Sequence, residues 1–187
     1  MSDSRVTARF DWRLSIYGAL AAFIFLLPIT IYCSDITELF YVFLAAPILG
    51  LLVLLLAVFA KGRKLAILSV VLVYWAVSFV LLLNREPIRT AARWLLYSKD
   101  FKASVLAQQE PPNGELRHVE WDAWGWGGND TTVYLVFDPD DSLAAAAKSG
   151  QPGRYNGIPC KVPRVQRLQS RWYTVQFYTD TEWGKCS

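Results

Sequence analysis

Three long stretches of this chain carry no charged side chain: Leu14–Tyr32, Leu39–Ala60 and Leu65–Leu83, of 19, 22 and 19 residues. At about 1.5 Å of rise per residue, a helix through each reaches roughly 28–33 Å, the thickness of a bilayer's hydrocarbon core. In hydrocarbon the backbone has to satisfy its own hydrogen bonds, which selects helices. A soluble amphipathic helix keeps a polar face, and LFYVFLAAPILGLLVLLLAVFA has none. The expectation is a transmembrane region over residues 1–84 with three spans, at about 14–32, 39–60 and 65–83. Pro28, Pro47 and Gly50 fall inside these spans. Membrane helices tolerate both residue types, and Gly50 also permits the close approach of a neighbour. No ionisable residue lies within a span, which argues against a pump or an ion-coupled transporter. The first stretch has the basic flank of a signal peptide but ends in PITIYCSD, with no A-x-A-like site, so it is expected to stay as an uncleaved span.

Charge placement sets an expected orientation. The N-terminal tail carries Arg5, Arg9 and Arg13, and the gap KGRK after the second span is wholly basic. The gap CSDITE after the first span holds Asp35 and Glu38 and no cation. The positive-inside rule then puts the N-terminus in the cytoplasm and, after three crossings, the C-terminal half outside. Arg85, Arg89 and Arg93 on the outer side oppose this, but the inner cations outnumber them. Residues 97–187 hold ten basic and eleven acidic side chains, so an extended nucleic-acid surface is not expected. Cys160 and Cys186 both lie in this half, and a pair in a small exported domain reads as a disulfide. Closing that loop stabilises by about 3 kcal/mol on the chain-entropy model.

After the third span, residues 85–107 show helical spacing of Ile88, Ala91, Ala92, Leu95 and Leu96, with Arg85, Arg89 and Arg93 on another face. This reads as a juxtamembrane amphipathic helix, with Trp94 and Tyr97 suited to the membrane interface. The run QQEPPNGE reads as a linker. Residues 108–187 read as a small α+β domain: a strand in ELRHVEWDAW, a turn at GWGGND, and a strand in TTVYLVFD with period-two alternation. A helix follows in DPDDSLAAAAKSG, with Asp or Ser at its start, and VPRVQRL and RWYTVQFYT make a second hairpin. The order β-β-α-β-β predicts an antiparallel sheet with a helix packed on one face.

Trp121, Trp124 and Trp126 in WDAWGWGG read either as an aromatic binding surface or as core filler. Lys161, Arg164, Arg167 and Arg171 make a basic edge on the last hairpin. Such an edge either deters sheet-to-sheet pairing or meets an acidic partner protein or anionic lipid. His118, with Glu120 and Asp122 on its strand face, is the one acid–base constellation, and no nucleophile accompanies it. Asp138, Asp140 and Asp141 lack the ligand pattern of a calcium loop and suit a helix start. No metal site and no cofactor are expected. The segments ELRHVEWDAWGWGGNDTTVYLVFDP, GIPCKVPRV and WYTVQFYTDTEW resemble small uncharacterised bacterial envelope proteins over residues 115–183. That resemblance implies no activity; it implies a bacterial inner membrane and a periplasmic domain. The functional expectation is a membrane-anchored periplasmic module that binds a protein, one version being an immunity protein against a toxin reaching the periplasm. A structural subunit of a larger membrane complex and an envelope enzyme are the alternatives.

Overall fold

The computed structural model describes residues 12–32, 40, 44–59, 64–111, 113–126, 129–179 and 181–186. The elements are α1 (Trp12–Tyr32), α2 (Ala46–Phe59), α3 (Lys64–Leu83), α4 (Arg85–Leu106), β1 (Arg117–Trp126), β2 (Asn129–Phe137), α5 (Ala144–Ser149), β3 (Arg164–Gln169) and β4 (Trp172–Tyr178). The chain divides between Ala92 and Arg93 into two compact units.

In the first unit α1 and α3 bury Ala22, Leu26, Val71, Tyr74 and Leu81. The buried hydroxyls of Ser15 and Ser69 meet at 3.2 Å. Thr30 and Ser78 donate to the carbonyls of Leu26 and Tyr74 four residues earlier, at 2.9 and 2.7 Å. Apolar surroundings demand such partners for every polar group. Gly50 is where the Trp75 ring lies flush on the α2 backbone; a Cβ there would sit 2.8 Å from that ring. Large apolar side chains such as Ile24, Leu72 and Phe79 stay exposed, as suits helices associated with a membrane. The three expected spans reduce, however. Among the described residues one helix, over Ser15–Tyr32, is by itself long and apolar enough to cross a membrane. The number is two if α3 and α4, broken after Leu83, count as one span. Within the second expected span, the described α2 runs for 14 residues, about 21 Å of helix. Residues 39, 41–43 and 60 of that expectation lie outside the described residues.

The second unit is a four-stranded antiparallel sheet. The β-β-α-β-β succession along the chain is not the order across the sheet, which is β1-β2-β4-β3. β4, not β3, lies beside β2, because the last hairpin enters the sheet by its second strand. Tyr173, Val175 and Phe177 of β4 point to one face, where they join Val136, Val165, Leu143, Ala146, Ile158 and Val162. Trp172 points to the other, with Trp121, Val133, Leu135 and Val105. A helix on one face was expected; both faces are covered, one by α5 and the loop after it, the other by the part of α4 from Arg93 onward. Trp94, expected at a membrane interface, instead packs 6.0 Å from Trp121 and 6.4 Å from Trp172.

β1 carries a bulge between Glu120 and Asp122. Glu120 pairs with Tyr134 and Asp122 with Val133, so the extra residue moves Asp122 across the sheet from His118 and Glu120. Cys160 and Cys186 are joined in a disulfide, with their Cα atoms 5.2 Å apart. It fastens the last turn of the chain onto the α5 side of the sheet.

Candidate functional site

Of the Trp-rich segment, which read either as a binding surface or as core filler, Trp121 is interior. Trp121 is 2% exposed, packed 4.8 Å from Phe101, with the Arg93 guanidinium 5.6 Å from its ring centre. The bulge is the reason: it brings Trp121 and Trp124 to the α4 face together, and Trp124 packs half-buried on the same cluster. Without it their odd spacing would place them on opposite faces. Trp126 ends β1 opposite Asn129, and its side chain lies outside the described residues.

The acid–base constellation does not assemble. Asp122 lies on the α4 face, 3.8 Å from the Arg93 guanidinium. His118 faces the other way. Its Nδ1 lies 2.9 Å from the Leu116 carbonyl, and its ring stacks on Trp183 at 3.7 Å. Burial lowers the His118 pKa from its ordinary 6.5, with the Leu116 carbonyl and then Glu115 opposing. Among the described residues no group of three or more His, Cys, Asp or Glu is placed to hold a metal ion.

The two outer strands of the sheet differ. On β1, outward backbone groups of His118 and Trp121 are taken. The Gln108 amide donates to the His118 carbonyl at 2.7 Å, and its oxygen accepts the His118 N–H at 3.1 Å, as a neighbouring strand would. At the bulge, the Arg93 guanidinium donates to the Trp121 carbonyl at 2.6 Å. Nothing in the sequence flagged Gln108, which falls in a segment read as linker. On β3, no strand among the described residues pairs with the outer side. Arg164 and Arg167 of β3 are exposed, as are Lys161 before the strand and Arg171 in the turn that follows. A groove of about 430 Å³ runs between β3 and α5, lined by Ala144, Ala145, Ala147, Lys148 and Arg167.

The basic hairpin is held by one carboxylate. Asp141 accepts the Arg167 guanidinium at 2.7 Å, the Arg171 backbone N–H at 2.8 Å and the Tyr173 hydroxyl at 2.5 Å. Asp141 and Arg171 face each other with φ of 56° and 65°. Short polar side chains such as Asp enter this region more readily than most. Asp138, which is buried, accepts the Ser142 hydroxyl and the Leu143 N–H at 3.0 and 2.8 Å and so fixes the turn into α5. The DPDD run thus ties two loops together, a role that its reading as a charged helix start missed.

These two groups give separate acid responses. His118 holds its proton less tightly folded than unfolded, so the unfolded chain takes up the extra proton. Stability is therefore complete above pH 6.5 and falls as pH drops through 6.5 toward the lower folded value. Asp141 is held below its ordinary 3.8, first by the Tyr173 hydroxyl and then by the Arg171 N–H. Its contribution is present above 3.8 and is lost as pH falls through the lower folded value. Denaturant unfolding at stepped pH is expected to show two declines, the upper one vanishing in His118→Phe and the lower one in Asp141→Asn.

Compared with protein-family models, with curated proteins and with solved structures, the chain matches none.

Proposed function

We propose that this chain is a membrane-anchored binding module that recognises a protein through the outer edge of β3. The carrying observation is the contrast between the edges: β1 is capped at His118 and Trp121 by Gln108 and Arg93, while β3 has no strand on its outer side among the described residues and carries exposed Arg164 and Arg167. An open edge accepts an extended segment by adding a strand, and exposed Lys and Arg favour acidic side chains on that segment. The apolar helices serve as the tether in a bacterial inner membrane, with the N-terminus in the cytoplasm. The disulfide supports placing the α+β unit on the oxidising, periplasmic side. An immunity protein that neutralises a periplasm-acting toxin is one form of this reading.

The test uses Lys161→Glu with Arg164→Glu, both on exposed side chains away from the Asp141 contacts. A protein that co-purifies with the parent chain from gently solubilised membranes is expected to be lost from the double variant, with the thermal midpoint unchanged. Equal recovery of the partner by both would remove β3 as the surface.

A cleft of about 340 Å³ between α1, α2 and α3, lined by residues including Tyr17, Leu49, Gly50 and Trp75, favours a second reading as a subunit of a membrane complex. Exchange of residues 1–84 for an unrelated anchor separates the two: loss of function would favour the subunit.

A further inference from the structure

Helix α4 has two apolar sides. Trp94, Phe101 and Val105 recur at helical spacing and pack on the sheet. Turned away from them, at about 100° per residue, stand Leu95, Leu96, Ala103 and Leu106. The three leucines are 84%, 52% and 48% exposed. Leu95 and Leu106 are three turns apart, so the stripe runs for about 16 Å. The sheet has already taken the other side of this helix, so folding of the unit leaves the stripe uncovered.

We propose that this stripe lies in the interfacial layer of the bilayer, with phospholipid as its occupant. This rests on the membrane-anchored reading above. Two features of the chain favour lipid. First, α4 begins at Arg85, with only Asn84 between it and the end of the apolar α3 at Leu83. Leu95 thus follows that end by 12 residues, at most about 18 Å of helix. Second, Lys99 is exposed between Leu95 and Ala103 on the stripe. Long cations at such sites lay their stems along apolar surface and reach the phosphates with their heads. The membrane contact of α4 therefore comes from Leu95, Leu96 and Leu106, and not from Trp94, whose ring is spent on the sheet.

The experiment uses the full-length chain with Cys33→Ser, the disulfide kept, and Leu95→Cys or Leu106→Cys carrying a bimane label. The protein is placed in phosphatidylethanolamine–phosphatidylglycerol vesicles doped with phosphatidylcholine brominated near the top of its acyl chains. Labels at 95 and at 106 are expected to lose most of their fluorescence to the brominated lipid and little to aqueous iodide. A label at Ala145, exposed on α5, is expected to do the reverse. Quenching of the 95 and 106 labels by iodide would overturn the proposal. Shielding from both quenchers would overturn it as well, and would put a second copy or another protein on the stripe. Failure of the chain to float with the vesicles at all would instead sink the anchored reading itself.

Discussion

Replacing Cys186 by serine is expected to lower the stability of the Arg93–Ser187 unit by about 3 kcal/mol. The disulfide to Cys160 closes a loop with a sequence separation of 26, and its loss returns that loop's freedom to the unfolded chain. A local effect adds to this. Glu182 and Lys185 pair through both backbone bonds, at 3.1 and 3.0 Å, around a turn whose Gly184 has φ of 82°, a region that suits glycine. The turn presents Trp183, which stacks on His118, lies 5.6 and 5.8 Å from Tyr134 and Phe177, and donates its indole N–H to Glu115 at 2.9 Å. The tether keeps this ring at its post; without it the turn frays. Urea unfolding in mild detergent is expected to show the reduced midpoint both in Cys186→Ser and in the parent chain under dithiothreitol. The histidine proton resonance of His118 is expected to titrate nearer its ordinary 6.5 once the ring is uncovered. Cys186→Ser is the cleaner variant, because Cys186 is exposed while Cys160 is 1% exposed within the core. An unchanged midpoint with and without reductant would show that the bridge carries no stability.

The alternation in TTVYLVF was enough to assign the two faces of β2, because a central strand of a covered sheet must sort its side chains by parity. The cysteine pair was legible for a similar reason: two cysteines in one small domain pair more often than they serve any other role. The bulge at Trp121 was not legible. It depends on one extra residue in a ladder whose partner strand lies elsewhere in the chain, and it reversed the expected face of Asp122. Order across the sheet was hidden as well, since the last hairpin can enter a sheet by either strand without a change in periodicity. The helix α4 misled in an instructive way. Its aromatic residues looked interfacial because a sequence shows that a face is apolar and not what covers it. Trp94 proved to serve the sheet, while the leucines one and two positions later stayed outside. At the candidate site, the cations of the last hairpin were visible in the sequence. What gives them meaning is the capped β1 edge, and Gln108 reaches that edge only through the fold.

Trp121→Ala is expected to destabilise the second unit by about 3–5 kcal/mol, the range for truncating a buried tryptophan. Trp121 is the meeting point of α4 and the sheet, 4.8 Å from Phe101 and 6.0 Å from Trp94, with the Arg93 guanidinium donating to its own carbonyl at 2.6 Å. Truncation leaves a cavity bounded by aromatic rings on α4 and by Val133 and Leu135 below, which a rigid strand and helix cannot close. Its indole N–H has no hydrogen-bond partner among the described residues, so Trp121→Phe forfeits volume and no bond, and is expected to fall between the parent and the alanine variant. Trp124, half-buried at the margin of the same cluster, is expected to tolerate alanine with a smaller loss. The comparison also separates the two roles that the Trp-rich segment admits. If Trp121 acts through the core, Trp121→Ala lowers the urea midpoint, and partner retention follows only as far as the unit unfolds. Lys161→Glu with Arg164→Glu does the opposite, leaving the midpoint alone and removing the partner. A Trp121→Ala chain with the parent's midpoint and a lost partner would return the binding surface to the β1–β2 hairpin and take it from β3.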